Sequence, residues 1–260
     1  MMLFQQLEHL LKFVITNGNL SGYASELENI KAKKSETVSK QTMGQLVGQF
    51  LERINPDYEA YSDELEELKD FHFSFSFRIE TDSANYAAKK AALADVVNQR
   101  NELIHHLLPK FDTTSQKSCE ELSIQLDAQS EFVRREIKNV NATAEALIRV
   151  RKELEIYLSS DAGMGQLDLS YLLQTELAIF LIDIADQLGK ESGWVSLSLA
   201  GQLVRKHVPY ELERLRECYG HKTLKGFMLA TNLFEFNEEK TSKGGVRVLF
   251  RLNSTADKHA

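Results

Sequence analysis

The sequence predicts a mainly α protein: a helical bundle carrying one strand, followed by a small α+β module. Three observations predict it. Apolar residues recur at helical spacing through residues 2–16, 83–108 and 115–158. One stretch, 71–80, switches to a period of two. After residue 192, short helical patterns give way to two alternating runs separated by turn residues.

The elements follow in order. Leu3, Phe4, Leu7, Leu10, Leu11 and Val14 form a single apolar helix face, ended by Asn17-Gly18-Asn19. Further helices are expected over about 20–31 and 36–54, up to Asn55-Pro56, and a short acidic helix over 58–69. Phe71, Phe73, Phe75, Phe77 and Ile79 alternate with His72, Ser74, Ser76, Arg78 and Glu80, so this strand has one buried face. A strand needs a pairing partner, and the sequence leaves it open: a second copy or a short segment elsewhere. Thr81-Asp82-Ser83 supplies an N-cap for a helix running to about Leu108, where Pro109 stops it. A second long helix spans 115–158. Ser159 to Gly165 reads as a loop, and 168–188 as one connecting helix stopped by Gly189.

The module over 192–252 opens with Gly193-Trp194-Val195, a short edge element. Ser198 is expected to cap a helix with Leu199, Leu203 and Val204, and Thr223 a second with Leu224, Phe227 and Met228. Leu233–Phe236 and Val246–Leu252, joined through Asn237 to Gly245, form a hairpin wing. Two helices and a wing make a winged helix-turn-helix. Trp194 and Phe227 read as core residues, and 253–260 as a polar tail.

Charge divides the same way. Residues 192–260 hold 11 Lys+Arg against 7 acids, while the rest holds 20 against 31. A basic module on an acidic body fits a polyanionic ligand or an ordinary solvated surface. No apolar run reaches the roughly 18 residues of a membrane helix, and no secretion signal is seen at the N-terminus. Cys119 and Cys218 stand alone, which suits a reducing, cytoplasmic setting and gives no structural zinc. No nucleotide-binding, HExxH or GxSxG pattern occurs, and no cofactor or metal is expected. Asp183 and Asp186 share a helix face as an ordinary hydrated pair.

The chemistry-bearing segment is Val97-Asn98-Gln99-Arg100-Asn101-Glu102-Leu103-Ile104-His105-His106. Arg100, Asn101 and His105 interrupt an apolar stripe of Val96, Val97, Leu103, Ile104, Leu107 and Leu108. Polar groups buried there need partners. On a regular helix, five residues place Arg100 and His105 about 140° apart. His exchanges protons near neutral pH, and Arg can clamp a phosphoryl group as charge builds on it. Asn101 can orient either. His106 is a second candidate in a different register.

The run Arg100-Asn101-Glu102-Leu103-Ile104-His105 resembles the HEPN family, whose signature is Arg, commonly Asn, a short spacer and His. The resemblance covers roughly residues 1–158. It implies a helical domain that works as a homodimer, and a metal-independent ribonuclease with Arg100, Asn101 and His105 at its centre. Some members only bind or dimerise, so a non-catalytic adaptor is the alternative. Where controlled members carry Tyr two residues after the His, this chain has Leu107, so control through such a Tyr is not expected.

Gly193-Trp194-Val195, Gln202-Leu203 and Tyr219-Gly220-His221-Lys222-Thr223-Leu224-Lys225-Gly226-Phe227 resemble the OST-HTH/LOTUS family. That resemblance implies RNA binding, with G-rich or structured RNA as the expected ligand. Versions that recruit a protein partner carry an added C-terminal helix, and this chain ends eight residues after Leu252. Arg205, Lys206, Lys222 and Lys225 are expected to contact phosphates, and Tyr219 and His221 to stack on bases.

Overall fold

The computed structural model describes residues 2–56, 71–107, 111–112, 114–189, 193–241 and 244–253. The expected helix over 58–69, the stop at Pro109, and Ser192, Lys243 and the tail from 254 lie outside the described residues. The chain is mainly helical with two small antiparallel sheets. It folds as two units: among the described residues, one holds those up to Glu155 except Phe71, and the other holds Phe71 and those from Ile156.

In the first unit, α1 (Met2–Asn17) buries Phe4, Leu7, Leu11, Val14 and Ile15. The next element is a strand where a helix was expected: β1 (Asn19–Tyr23) pairs antiparallel with β2 (His72–Ser76), Leu20 opposite Phe75 and Gly22 opposite Phe73. This supplies the partner the alternating aromatic segment required. The alternation holds beyond the strand, with Phe77 buried between exposed Ser76 and Arg78. A Cβ at Gly22 would lie 2.3 Å from Ile30 Cδ1, so the end of that side chain would have to move aside. Ile30 belongs to α2 (Leu27–Ser39), which starts seven residues later than expected.

The helix α3 (Met43–Glu52) is fixed by a capping box: the Gln45 amide N–H donates to Thr42 Oγ1, and Thr42 N–H donates to Gln45 Oε1 at 2.9 Å. It buries Met43, Leu46, Val47, Phe50 and Leu51. Asp82 caps α4 (Ser83–Asn101), its Oδ1 accepting the Asn85 N–H at 2.7 Å. The helix α5 (Gln116–Leu158) runs 43 residues, and its buried positions lie between Val133 and Leu147. Leu7, Leu11, Leu46, Phe50 and Val96 share one core at complete burial, each worth about 1.5–3 kcal/mol.

The second unit departs from the expected loop and connecting helix. Ser160 caps α6 (Asp161–Leu173), accepting the Gly163 N–H at 3.1 Å. A Cβ at Gly163 would lie 1.9 Å from the Tyr157 carbonyl oxygen, so glycine permits the close approach of the two helix ends. Thr175 then caps α7 (Glu176–Leu188), so residues 168–188 form two helices rather than one. Leu172, Leu177, Leu181 and Ile184 join the core of the C-terminal module, so these helices are part of its packing.

The module itself runs β3 (Val195–Ser196), α8 (Leu197–His207), α9 (Pro209–Glu217), α10 (Leu224–Ala230), β4 (Phe234–Lys240) and β5 (Val246–Leu252). Ser196, not Ser198, occupies the position before α8, and its side chain makes no capping bond. Leu199 is exposed; Ala200 and Val204 are the buried positions. The strand order is β3-β5-β4, with Phe236 opposite Phe250. The hairpin strands extend to Lys240 and Val246, leaving a shorter connection than expected. No helix among the described residues is long and apolar enough to cross a membrane.

Candidate functional site

The helix that carries Arg100, Asn101 and His105 changes type at the motif. Regular α4 ends at Asn101, and Glu102–His106 continue as a π-helical turn. Such a turn bonds i to i+5 and widens the helix, and it is frequent at functional sites. It also alters the directions in which side chains leave. The 140° or so expected between positions five apart therefore does not carry over from a regular helix to Arg100 and His105.

The motif side chains occupy two levels. Arg100 and Asn101 are half-buried, and Arg100 Nη1 donates to Asn101 Oδ1 at 3.2 Å. His105 and His106 are exposed, their rings edge-on at 6.2 Å. The expectation that His105 sits within a packed stripe is therefore corrected. Leu93, Val96, Val97 and Leu103 make the packing face, while Ile104 and His105 point to solvent. Gln129 of α5 reaches the end of α4 just before the turn, its Nε2 donating to the Gln99 carbonyl oxygen at 3.4 Å.

His106 takes a different position. It lines a pocket of about 230 Å³ between the π-turn and the first turns of α5, together with Leu103, Leu107, Leu122, Gln125 and Leu126. The two adjacent histidines thus differ in role: His106 lines this pocket and His105 does not. Among the described residues no group of three or more His, Cys, Asp or Glu side chains could hold a metal ion.

In the second unit, the expected RNA-contacting residues separate into accessible and committed groups. Arg205 and Lys206 are exposed in the last turn of α8, beside exposed His207. Lys222 is exposed just before Thr223, which caps α10 by accepting the Gly226 N–H at 3.0 Å. Lys225 pairs with Glu238 across to β4 at 3.2 Å and lies 5.5 Å from the Phe236 ring centre. His221 is half-buried, edge-on to Phe227 at 6.0 Å.

Tyr219 is not a base platform. Its ring is buried at 7% exposure, 5.4 Å from Phe227. Its hydroxyl donates to Glu211 Oε2 at 2.6 Å, and Arg214 Nη1 donates to Glu211 Oε1 at 3.0 Å while its guanidinium lies over the ring. Burial first, and the Glu211 carboxylate second, push the phenol far above its usual range. The sequence reading missed α9 and Glu211, because a buried carboxylate interrupts the helix's apolar stripe. Trp194 is half-buried under the Arg251 guanidinium at 4.5 Å, and Arg251 also pairs with Glu235. Phe227 is fully buried, as expected of a core residue.

Comparison with known proteins returned no match among family models, curated proteins or solved structures.

Proposed function

We propose that the chain is an RNA-binding protein that cleaves RNA without metal, with a HEPN-like first unit and a LOTUS-like winged-helix module that targets the substrate. The observation that carries this reading is His105, solvent-facing on a π-turn that begins directly after the Arg100–Asn101 pair. A proton-transfer group must be reachable by substrate, and a neighbouring cation must be held in place.

The chemistry follows from these groups. Neutral His105 takes the proton of an RNA 2′-hydroxyl as its oxygen attacks the adjacent phosphorus. The P–O5′ bond breaks, and the leaving oxygen is protonated by the His105 of a second copy, giving a 2′,3′-cyclic phosphate and a 5′-hydroxyl. Arg100 donates to the phosphoryl oxygens as negative charge builds, and Asn101 keeps its guanidinium in place. The two-copy arrangement is part of the proposal, drawn from the family resemblance of the Arg100–His105 motif.

The exposed Arg205, Lys206 and Lys222 support RNA as the ligand of the second unit, through phosphate contacts that are insensitive to sequence. A second reading, a non-catalytic RNA-binding adaptor in the cytoplasm, is favoured by one observation: Arg100 commits a donor to Asn101. Cleavage of single-stranded RNA in chelator by the wild type but not by His105→Ala separates the two.

A further inference from the structure

The pocket beside the π-turn has a composition that the cleavage chemistry does not use. Val133 is the first fully buried position of α5, so its first four turns project beyond the core. Leu122 and Leu126, one turn apart on that projection, nevertheless continue the apolar stripe and are only half covered. They line the pocket together with Leu103, Leu107 and Phe111. The volume of about 230 Å³ is below the roughly 300–1,000 Å³ of sites for drug-sized ligands. It suits a flat group of one or two rings.

The rim is polar and rich in acceptors. Glu121 and Gln125 lie one turn apart on α5, and His106 lines the pocket from the π-turn. Both Glu121 and Gln125 are exposed, and the Lys117–Glu121 pair is loose at 3.7 Å. A carboxylate can only accept, whereas an amide both accepts and donates and so can pair with the edge of any of the four bases. Adenine, cytosine and guanine each carry an exocyclic amino group. Uracil offers carbonyl oxygens on both sides of its single N–H, which a carboxylate repels.

We propose that this pocket receives one unstacked base of a single-stranded RNA and selects amino-bearing bases over uracil. The base inserts among the leucines, its edge meets Glu121 and Gln125, and the backbone of the same strand passes over the π-turn. Single-stranded RNA is commonly read by splaying bases into such slots. The inference rests on the RNA-cleaving reading above and assigns its substrate selectivity. A side chain from a second copy would fill the leucine slot as well, but it gives no reason for acceptors along the rim.

The test uses the full chain carrying His105→Ala, so that RNA stays intact, and fluorescence anisotropy with all-uridine strands in which one central base is A, C, G or U. The A, C and G strands are expected to bind about five- to tenfold tighter than the all-uridine strand. Leu126→Trp fills the slot and Glu121→Gln, at an exposed position, replaces the carboxylate by an amide that also pairs with uracil; each is expected to bring the four affinities together. A preference that survives in both variants, or none in the parent, overturns the inference. So does a Leu126→Trp variant that changes oligomeric state and leaves the preference intact. Wild-type cleavage is assayed in parallel. Absent cleavage with a pocket-dependent preference removes the nuclease reading alone. Cleavage without pocket-dependent preference removes the pocket alone.

Discussion

Tyr219 donates its hydroxyl hydrogen to Glu211 at 2.6 Å, and this buried bond turns an expected RNA contact into part of the core of the second unit. Glu211 is 1% exposed. Its two oxygens are divided between Tyr219 and Arg214. A carboxylate so placed needs both partners, since a buried polar group left unsatisfied costs about 1–3 kcal/mol.

Tyr219→Phe keeps the ring and removes the donor. Thermal unfolding is expected to show a loss of about 1–3 kcal/mol in the second unit. RNA affinity measured below the transition is expected to stay within twofold or so, because the ring faces inward. A large affinity loss with unchanged stability would return Tyr219 to the binding surface.

Phosphate contacts are separable by their partners. Lys206 is exposed in the last turn of α8, whereas Lys225 is engaged by Glu238 at 3.2 Å. Lys206→Ala is expected to lower RNA affinity for all sequences alike and to reduce the slope of log affinity against log salt by about 1. Lys225→Ala is expected to change the slope less. Equal slopes for wild type and Lys206→Ala would remove Lys206 from the interface.

The first unit contains a lysine whose charge is disfavoured by the fold. Lys34 Nζ donates to the Asn19 carbonyl oxygen at 2.6 Å and also to Asn19 Oδ1, which in turn accepts from Arg53 at 2.8 Å. Burial, and then the Arg53 charge, bring its amine down to about 8. Between pH 8 and the ordinary lysine range the unfolded chain therefore binds more protons than the folded one. Stability then rises with pH across that window. Below about pH 8 both states are protonated and the penalty is constant. Lys34→Met is expected to flatten this rise, read as the difference in melting temperature between the two proteins from pH 8 to 10. Parallel curves would contradict it.

The close approach of the adjoining ends of α5 and α6 depends on Gly163. Its missing Cβ is where the Tyr157 carbonyl oxygen lies, at 1.9 Å from the ideal position. Because the obstacle is backbone, Gly163→Ala is expected to destabilise the second unit by about 1–3 kcal/mol in denaturant unfolding. Gly165→Ala, where nothing lies within 4 Å, serves as the control.

Much of the architecture is legible in local pattern. The alternation from Phe71 to Ile79 announced a strand, and Asp82 and Thr223 announced helix starts, because each signal is carried by adjacent residues. The pairing partner Asn19–Tyr23 was illegible: it is five residues long, contains a glycine, and pairs with residues about fifty positions away. Thr175 resembles any mid-helix threonine until its Oγ is seen accepting from Ala178 N–H. At the candidate site the residue types were readable and their directions were not. A period of 3.6 places His105 near the packed stripe, while the π-turn from Glu102 to His106 shifts every side chain after Asn101. Residue spacing on a helix predicts neighbours only while the helix stays regular.

The role of His105 is tested by the cleavage of labelled single-stranded RNA by the purified chain in excess chelator, with mass analysis of the products. The wild type is expected to give 2′,3′-cyclic phosphate ends, with the rate falling at least about a hundredfold in His105→Ala and in Arg100→Ala, while His105→Ala still binds RNA. Cleavage by His105→Ala at the wild-type rate, or loss of all wild-type activity in chelator, would contradict it.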